Sequence, residues 1–423
     1  MAGPIAHDPS APAGPDRATF YAWLVFALSF GLLISDYMAR QVLNAVFPLL
    51  KAEWGLSDAQ LGLLSGVVAV MVGLLTFPLS LAADRWGRVR SLTLMAILWS
   101  LATLLCAGAR SFETMLIGRA LVGIGEAAYG SVGIAVVISV FPARLRATLS
   151  AAFMAGGLFG QVLGVAIGGA VAASHGWRTA FAAIGLAGLV LGLLYPVIVR
   201  EGRIRLLAGV SGAAGAARAT PPLRALVGNR SVRLAYLGSG LQMFAAGALP
   251  AWLPSYFNRY YQLPVDRAGT LAAVLLLICG TGMILCGIIS DRLARDRPET
   301  KIVLAICYSV GTALCLTIAL LLPPGIAQLA MLGAAMFLVA GTVGPVGAMV
   351  ANLTPLAIHG SAFATLTLAN NLIGLAPGPI MTGRIADATG LAEAFRLLPV
   401  TCLLAAATYA MMRRSYLADL ASR

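Results

Sequence analysis

The sequence predicts an all-α membrane protein of twelve transmembrane helices, arranged as two pseudo-symmetric six-helix bundles. Three observations predict it. The 423 residues are 60% hydrophobic and 11% charged, with a mean hydropathy of +0.90, whereas soluble domains carry about 25% charged residues. Apolar runs of about 20 residues, the length needed to cross a hydrocarbon core, recur along the whole chain. The short loops between them alternate between arginine-rich and arginine-poor.

The apolar runs fall at 21–48, 59–82, 91–109, 114–140, 149–173, 178–199, 233–257, 267–290, 301–322, 327–351, 361–385 and 394–412. Residues 1–20, rich in Pro, Ala and Gly, read as a disordered cytoplasmic tail; they lack the basic stretch, short apolar core and cleavage site of a removable signal. The longest connection, 200–232, separates an N-terminal bundle (21–199) from a C-terminal one (233–423). It holds a weakly structured Gly209–Ala217 run between arginines. A solvated linker and an arginine-rich surface helix on anionic lipid are both open readings of it.

Of the 29 Lys and Arg residues, 20 fall in the tail, the linker and the loops on the side of the termini, 7 on the other side, and Arg40 and Arg119 within apolar runs. Basic residues concentrate on the cytoplasmic side, so both termini are expected in the cytoplasm and the protein in the plasma (inner) membrane. A net charge of +13 also raises nucleic acid, but that needs arginines clustered on one folded face rather than spread over short loops. All six cysteines lie in apolar segments and the three histidines in the tail or loops. No metal site, cofactor or midplane histidine relay is expected, and a monomer is the simplest assembly.

The two halves repeat each other. Asp84-Arg85-Trp86-Gly87-Arg88 after the second run matches Asp291-Arg292-Leu293-Ala294-Arg295 after the eighth, 207 residues on. Pro142 through Arg146-Ala147 matches Pro355 through His359-Gly360, 213 residues on. Parallel repeats about an axis along the membrane normal are one plan for transporters.

Four ionisable residues sit inside apolar runs. Arg119 and Glu126 lie two helical turns apart on one face of a helix read as continuous from Gly118 to Phe141. Asp36 and Arg40 share a face of the first helix at i, i+4. Each costs roughly 2.5–3.5 kcal/mol near the bilayer centre, so the four must face protein or a wet cavity. Counting depth from each helix end places both acids near mid-membrane and both arginines further out. Burial raises an acid's pKa and a neighbouring arginine lowers it. A carboxyl balanced between the two can take up and release protons, freeing an arginine to hold an anion bidentately. A static ion-pair network holding the first and fourth helices together is the competing reading.

With these motifs in place, the chain resembles the major facilitator superfamily, and its first half the spinster-like branch. The matching residues are the duplicated Asp-Arg-x-Gly-Arg turn, Arg119-x-x-x-Gly123-x-Gly125-Glu126-Ala-x-Tyr129, Phe141-Pro142, and Gly176-Trp177-Arg178. The resemblance implies alternating access, a cytoplasmic gate at Asp84, Arg85, Arg88, Asp291 and Arg292, and cargo such as lysophospholipids or sphingoid lipids moved with protons. The first helix departs from the family pattern: Ala39 stands where the family has Asp before the Arg, and Asp36 is the nearest substitute.

The expected transporter therefore couples protons through Asp36 and Glu126. It binds an anionic or amphipathic organic substrate through Arg40, Arg119, Tyr37, Tyr129, Gln161, Gln242, Trp252 and Asn370. The second half supplies no charge near its helix centres, so the cavity should be charged on one wall only. Multidrug efflux and small-carboxylate/proton symport are the alternatives. Val165 after Gly164 lacks the proline of the antiporter signature. No nucleotide loop, metal cluster or nucleophile motif suggests an enzyme, and no appended soluble domain suggests a sensor. In the fifth run Gly156, Gly160, Gly164 and Gly168 form a smooth stripe for a close helix neighbour. Gly341, Gly344-Pro345, Pro377 and Pro379 mark places where the tenth and eleventh helices should be interrupted.

Overall fold

The computed structural model describes residues 15–204, 226, 228–295, 297, 299–355 and 358–421. Among them the regular secondary structure is helical throughout. The first half comprises α1 (Pro15–Trp54), α2 (Asp58–Trp86), α3 (Arg88–Ala107), α4 (Phe112–Glu126), α5 (Tyr129–Val140), α6 (Ala143–His175) and α7 (Trp177–Ile198). The second holds α8 (Arg230–Tyr260), α9 (Val265–Leu293), α10 (Thr300–Leu321), α11 (Ile326–Val339) and α12 (Val343–Leu353). Then α13 (His359–Ala369) runs through a π-turn at Asn370–Leu375 into α14 (Pro377–Thr389), and α15 (Leu391–Phe395) leads into α16 (Leu397–Ala421).

These helices make twelve crossings. Ten are long and apolar enough to span a membrane on composition alone, counting α4–α5, α11–α12 and α15–α16 as single crossings. The seventh and eleventh crossings are α8, which carries Pro250, Pro254 and three arginines, and the interrupted pair α13–α14. Helix α1 begins at Pro15, ahead of the expected start, so the expected tail shortens to the residues before it. That remnant, and most of the 200–232 connection including the Gly209–Ala217 run, lie outside the described residues.

Local chemistry sets the helix ends. Ser57 begins α2 with a reciprocal capping box to Gln60, its hydroxyl accepting from the Gln60 N–H. Between α2 and α3 the chain reverses through Gly87 at φ 97°, a conformation that excludes most side chains. Ser111 caps α4 by accepting from the Thr114 N–H. The π-turn follows from Pro377 and Pro379, which cannot donate to the preceding turn; the Ala376 N–H reaches the Asn371 carbonyl at 2.9 Å instead.

One feature of the fourth crossing departs from the sequence reading. The helix read as continuous from Gly118 to Phe141 breaks at Ala127–Ala128, directly after Glu126. Ala128 sits at φ −114°, ψ 0°, and the Ser131 hydroxyl donates to its carbonyl at 2.9 Å. The tenth crossing breaks at Ala340–Gly341, where interruption was expected. The two breaks stand 213 residues apart, the spacing that also separates Pro142 from Pro355. Gly176 and Gly390, at φ 84° and 91°, likewise turn the chain at corresponding places before α7 and α15.

Packing orients the functional helices. The glycine stripe of α6 seats against α1: a Cβ on Gly160 would strike the Ile34 carbonyl and Tyr37, and one on Gly164 would strike Met38. At 100° per residue this contact turns Ile34, Met38 and Gln41 toward α6 and leaves Asp36 and Arg40 on the far side. Between the halves, α2 lies on α14 and the π-turn, and α6 lies on α9. Gly62, Gly66 and Gly73 of α2 meet residues 371–380, and Gly169 meets Val265 and Gly269. Helix α2 therefore meets the second half from its Asp58 end inward, away from the chain termini.

Candidate functional site

A cavity of about 280 Å³ lies where α1, α2, α4, α5 and α6 face α13. Asp36, Tyr37 and Arg40 line it from α1, Thr76 from α2, Glu126 from the broken end of α4, and Ser131 from α5. The second half contributes Thr367. The charge is thus confined to one wall. The Arg40 Nε lies 3.1 Å from the Glu126 Oε2, and the Arg40 guanidinium stands 5.8 Å from the centre of the Tyr37 ring. The Asp36 and Glu126 carboxyls lie within hydrogen-bonding reach of each other. Among the described residues neither Asp36 Oδ1 nor Glu126 Oε1 has a donor. Two buried carboxyls this close cannot both be ionised at low cost.

Asp36, one turn before Ala39, brings its carboxyl to this cavity. Ala39 itself is buried, and its contribution is a backbone carbonyl. That carbonyl receives Arg119. The Arg119 side chain is 1% exposed, donating from Nη1 to Ala39 O at 2.8 Å, from Nη2 to Arg40 O at 3.0 Å and from Nε to Leu64 O at 3.3 Å. It ties α4 to α1 and α2 beneath the cavity instead of lining it. The expectation of two acid–arginine couples in one chamber is corrected to an acid pair with one arginine.

Other expected substrate contacts divide the same way. Tyr129 is fully buried, its hydroxyl donating to the Ser29 carbonyl at 2.8 Å and its ring edge-on to Trp99. Gln242 is buried inside the second half, donating to the Val339 carbonyl at 3.0 Å. Trp252 packs on Phe47 across the halves and donates to the Pro379 carbonyl at 3.1 Å. These three are tied within the core, away from the cavity, because each has a backbone carbonyl that its buried polar group must satisfy. Gln161 accepts from Gln41 at 3.3 Å in an amide chain that continues through Asn44 to Ser65, between α1, α2 and α6. Asn370 opens the π-turn with its side-chain oxygen unpartnered among the described residues.

Among the described side chains, the expected gate residues Arg85, Arg88, Asp291 and Arg292 make no hydrogen bond or ion pair between the halves in this conformation. Arg85 and Arg292 are exposed, and Asp291 pairs with Lys301 of its own half at 3.0 Å. Arg88 is half-buried and its N–H donates to Glu201, whose carboxylate also accepts from the Val89 N–H at 2.8 Å, capping α3. The Asp84 side chain lies outside the described residues.

The halves are locked at the other end, by residues that the sequence reading missed. Asp58 accepts both guanidinium nitrogens of Arg259, at 2.6 and 2.7 Å, and the Lys51 ammonium at 2.6 Å. Asp387 accepts the N–H groups of Asp58 and Ala59 at 2.6 and 2.9 Å, capping α2 from the second half. These partners are 201 and more than 300 residues apart, so only an acid at a helix start (Asp58) and one at a helix end (Asp387) hinted at them.

Known proteins share this fold. The family model of the Major Facilitator Superfamily matches residues 28–379. A probable L-galactonate transporter of Escherichia coli K12 is 27% identical over 89% of this chain and 84% of its own length. The sphingosine-1-phosphate transporter SPNS2 of Danio rerio is 26% identical over 64% of this chain and 57% of its own. A crystal structure of a bacterial homologue of the human lysosomal transporter spinster, inward-facing and occupied, superposes with a TM-score of 0.81 at 21% identity. That match covers 94% of this chain and 98% of the other. With twelve crossings, a duplicated half and a charged central cavity in place, the chain belongs to the Major Facilitator Superfamily as an integral membrane transporter similar to its spinster-like branch.

Proposed function

We propose that the protein moves an organic anion together with a proton by alternating access, as a monomer in the plasma membrane with both termini cytoplasmic. The observation that carries this reading is the Asp36–Glu126–Arg40 cluster on one wall of the cavity. With one proton on the acid pair, the Asp36–Glu126–Arg40 wall is neutral, and the Arg119 guanidinium bound beneath it adds one positive charge. A bound monoanion offsets that charge, and a neutral cluster crosses the occluded state at the least electrostatic cost. Loss of the proton lets Glu126 reclaim Arg40 and expel the anion. Coupling then follows from competition for one guanidinium.

The size of the cavity favours a small carboxylate. At about 280 Å³ it lies just under the roughly 300–1,000 Å³ typical of sites for drug-sized ligands. Relatives matched over most of this chain are named for L-galactonate and hexuronate. A lysophospholipid or sphingoid lipid is the second reading, favoured by the spinster-like relatives. Multidrug efflux is disfavoured because the singly protonated wall has no negative charge in excess and Arg119 adds a positive one beneath it. The residue ranges 21–199 and 233–423 are proposed as the two moving bodies, with Asp58–Arg259 and Asp387 closing the outer end and the Asp84 and Asp291 turns closing the inner end in the opposite state.

The test is uptake by protein reconstituted in liposomes under an imposed proton gradient, comparing sugar acids, aromatic carboxylates, lysophospholipids and sphingosine-1-phosphate. Gradient-driven uptake of one anion class, lost in Glu126→Gln and in Arg40→Ala, is expected. Uptake indifferent to the gradient and to Glu126→Gln would overturn the coupling.

A further inference from the structure

We propose a second binding site, for the phosphate of an anionic phospholipid, in a groove of about 920 Å³ between the start of α1 and the end of α7. Its walls are Phe20, Tyr21 and Leu24 on one side and Val197, Ile198, Arg200 and Arg203 on the other. The apolar spans begin at Thr19 and end at Ile198, so the groove lies where hydrocarbon gives way to headgroups. Its apolar part faces outward, with Phe20 70% and Val197 65% exposed, and Trp23 stands half-exposed beside it. Exposed aromatic side chains at this depth are interface anchors.

The charged part is built, not incidental. The Tyr21 hydroxyl accepts the Arg200 N–H at 3.1 Å, and the Arg203 guanidinium lies over the Tyr21 ring at 5.0 Å. Tyr21 thus holds the backbone of one arginine and the side chain of the other. The acid between them does not neutralise the pair, because the Glu201 carboxylate is turned to the N–H groups of Arg88 and Val89. Two arginines around a tyrosine, at the headgroup level and above an acyl-sized apolar cleft, match a phosphodiester with attached chains. Free phosphate would use the arginines and leave the apolar walls unused.

Native mass spectrometry of the detergent-purified protein, titrated with phosphatidylglycerol or phosphatidylcholine, tests this. The wild type is expected to retain phosphatidylglycerol preferentially. The preference should fall by about fivefold for each arginine neutralised, in R200Q and R203Q singly and in the double variant. R203K should keep most of it. R414Q, which removes an exposed arginine from α16, should leave it unchanged. Equal retention of both lipids by the wild type, as a groove filled by the protein's own chain would give, overturns the site. So does an unchanged preference in R203Q, or displacement of phosphatidylglycerol by millimolar inorganic phosphate.

Discussion

The fourth and tenth crossings break at equivalent places, yet they end their first segments on Glu126 and on Val339. The backbone event is the same and the chemistry is opposite. In the first half the break delivers a carboxylate to the cavity, beside Asp36 and Arg40. In the second half the freed Val339 carbonyl is taken by the Gln242 amide, and the break closes into the core. Duplication supplied two hinges; only one carries a charge. The difference separates what the fold needs, interrupted helices that can bend, from what transport needs, a titratable group at the interruption.

The largest expected effect comes from removing that charge. Asp36→Asn or Glu126→Gln should abolish gradient-driven accumulation in liposomes while substrate exchange across the membrane persists. In the wild type, substrate Kd should rise with pH, because binding needs the proton that the acid pair holds. In Glu126→Gln the neutral amide imitates the protonated acid, so Kd should become independent of pH. The reciprocal variant, Val339→Glu, should not create a second site. It places a carboxyl in a fully buried position within the apolar core, at a cost of about 2.5–3.5 kcal/mol, read as a fall in Tm. A stable, doubly coupled Val339→Glu protein would break the comparison.

Next in size is the split between the two membrane arginines. Arg40 touches the cavity and Arg119 does not, so Arg40→Lys should weaken substrate binding tenfold or more with little change in Tm. Arg119→Ala strips three backbone carbonyls of a buried donor, each worth about 1–3 kcal/mol when orphaned, and should destabilise the protein severely. Arg119→Lys, with a single ammonium, should fold less stably yet keep Kd within about threefold, since no substrate contact is lost. A selective loss of affinity in Arg119→Lys at unchanged Tm would return that residue to the substrate site.

These contrasts mark what was legible in the sequence. Span positions, the repeat, a glycine stripe awaiting some close helix neighbour and the common depth of Asp36 and Glu126 follow from hydropathy and spacing; that the stripe's neighbour is α1 does not. The break at Ala340–Gly341 was announced by Gly341, Gly344 and Pro345. Its twin at Ala127–Ala128 was not, because alanine favours helix; only the density of Gly123, Gly125 and Gly130 pointed there. The fate of Arg119 was hidden for a different reason. Sequence displays charged partners but not carbonyls with a spare lone pair, and those of Ala39, Arg40 and Leu64 became acceptors only through packing. Tyr129, Gln242 and Trp252 were misplaced by the same blindness.

A smaller effect tests the lock between the halves. Asp58 is nearly inaccessible but its partners are partly solvated, Arg259 at 26% and Lys51 at 40% exposure. Asp58→Asn should therefore cost this conformation about 2 kcal/mol, shifting the balance between the two states by roughly thirtyfold toward the one open at that end. Cysteine labelling at Ser65, which lies on α2 below the lock, should accelerate accordingly. Unchanged labelling would show that Asp387, capping α2 from the second half, holds the end closed by itself.

The smallest effect sharpens the opening contrast. Gln242→Leu removes the amide that occupies the Val339 carbonyl but keeps the volume, so it should cost about 1 kcal/mol and lower Tm by a few degrees. With the bond gone, the tenth crossing is freer to bend, while Asp36, Arg40 and Glu126 are untouched. Coupling should then survive with altered turnover, measured as an unchanged pH dependence of Kd beside a changed transport rate. If Kd moved instead, the second half would be reaching the substrate through Gln242, and the assignment of all charge recognition to the first half would have to be withdrawn.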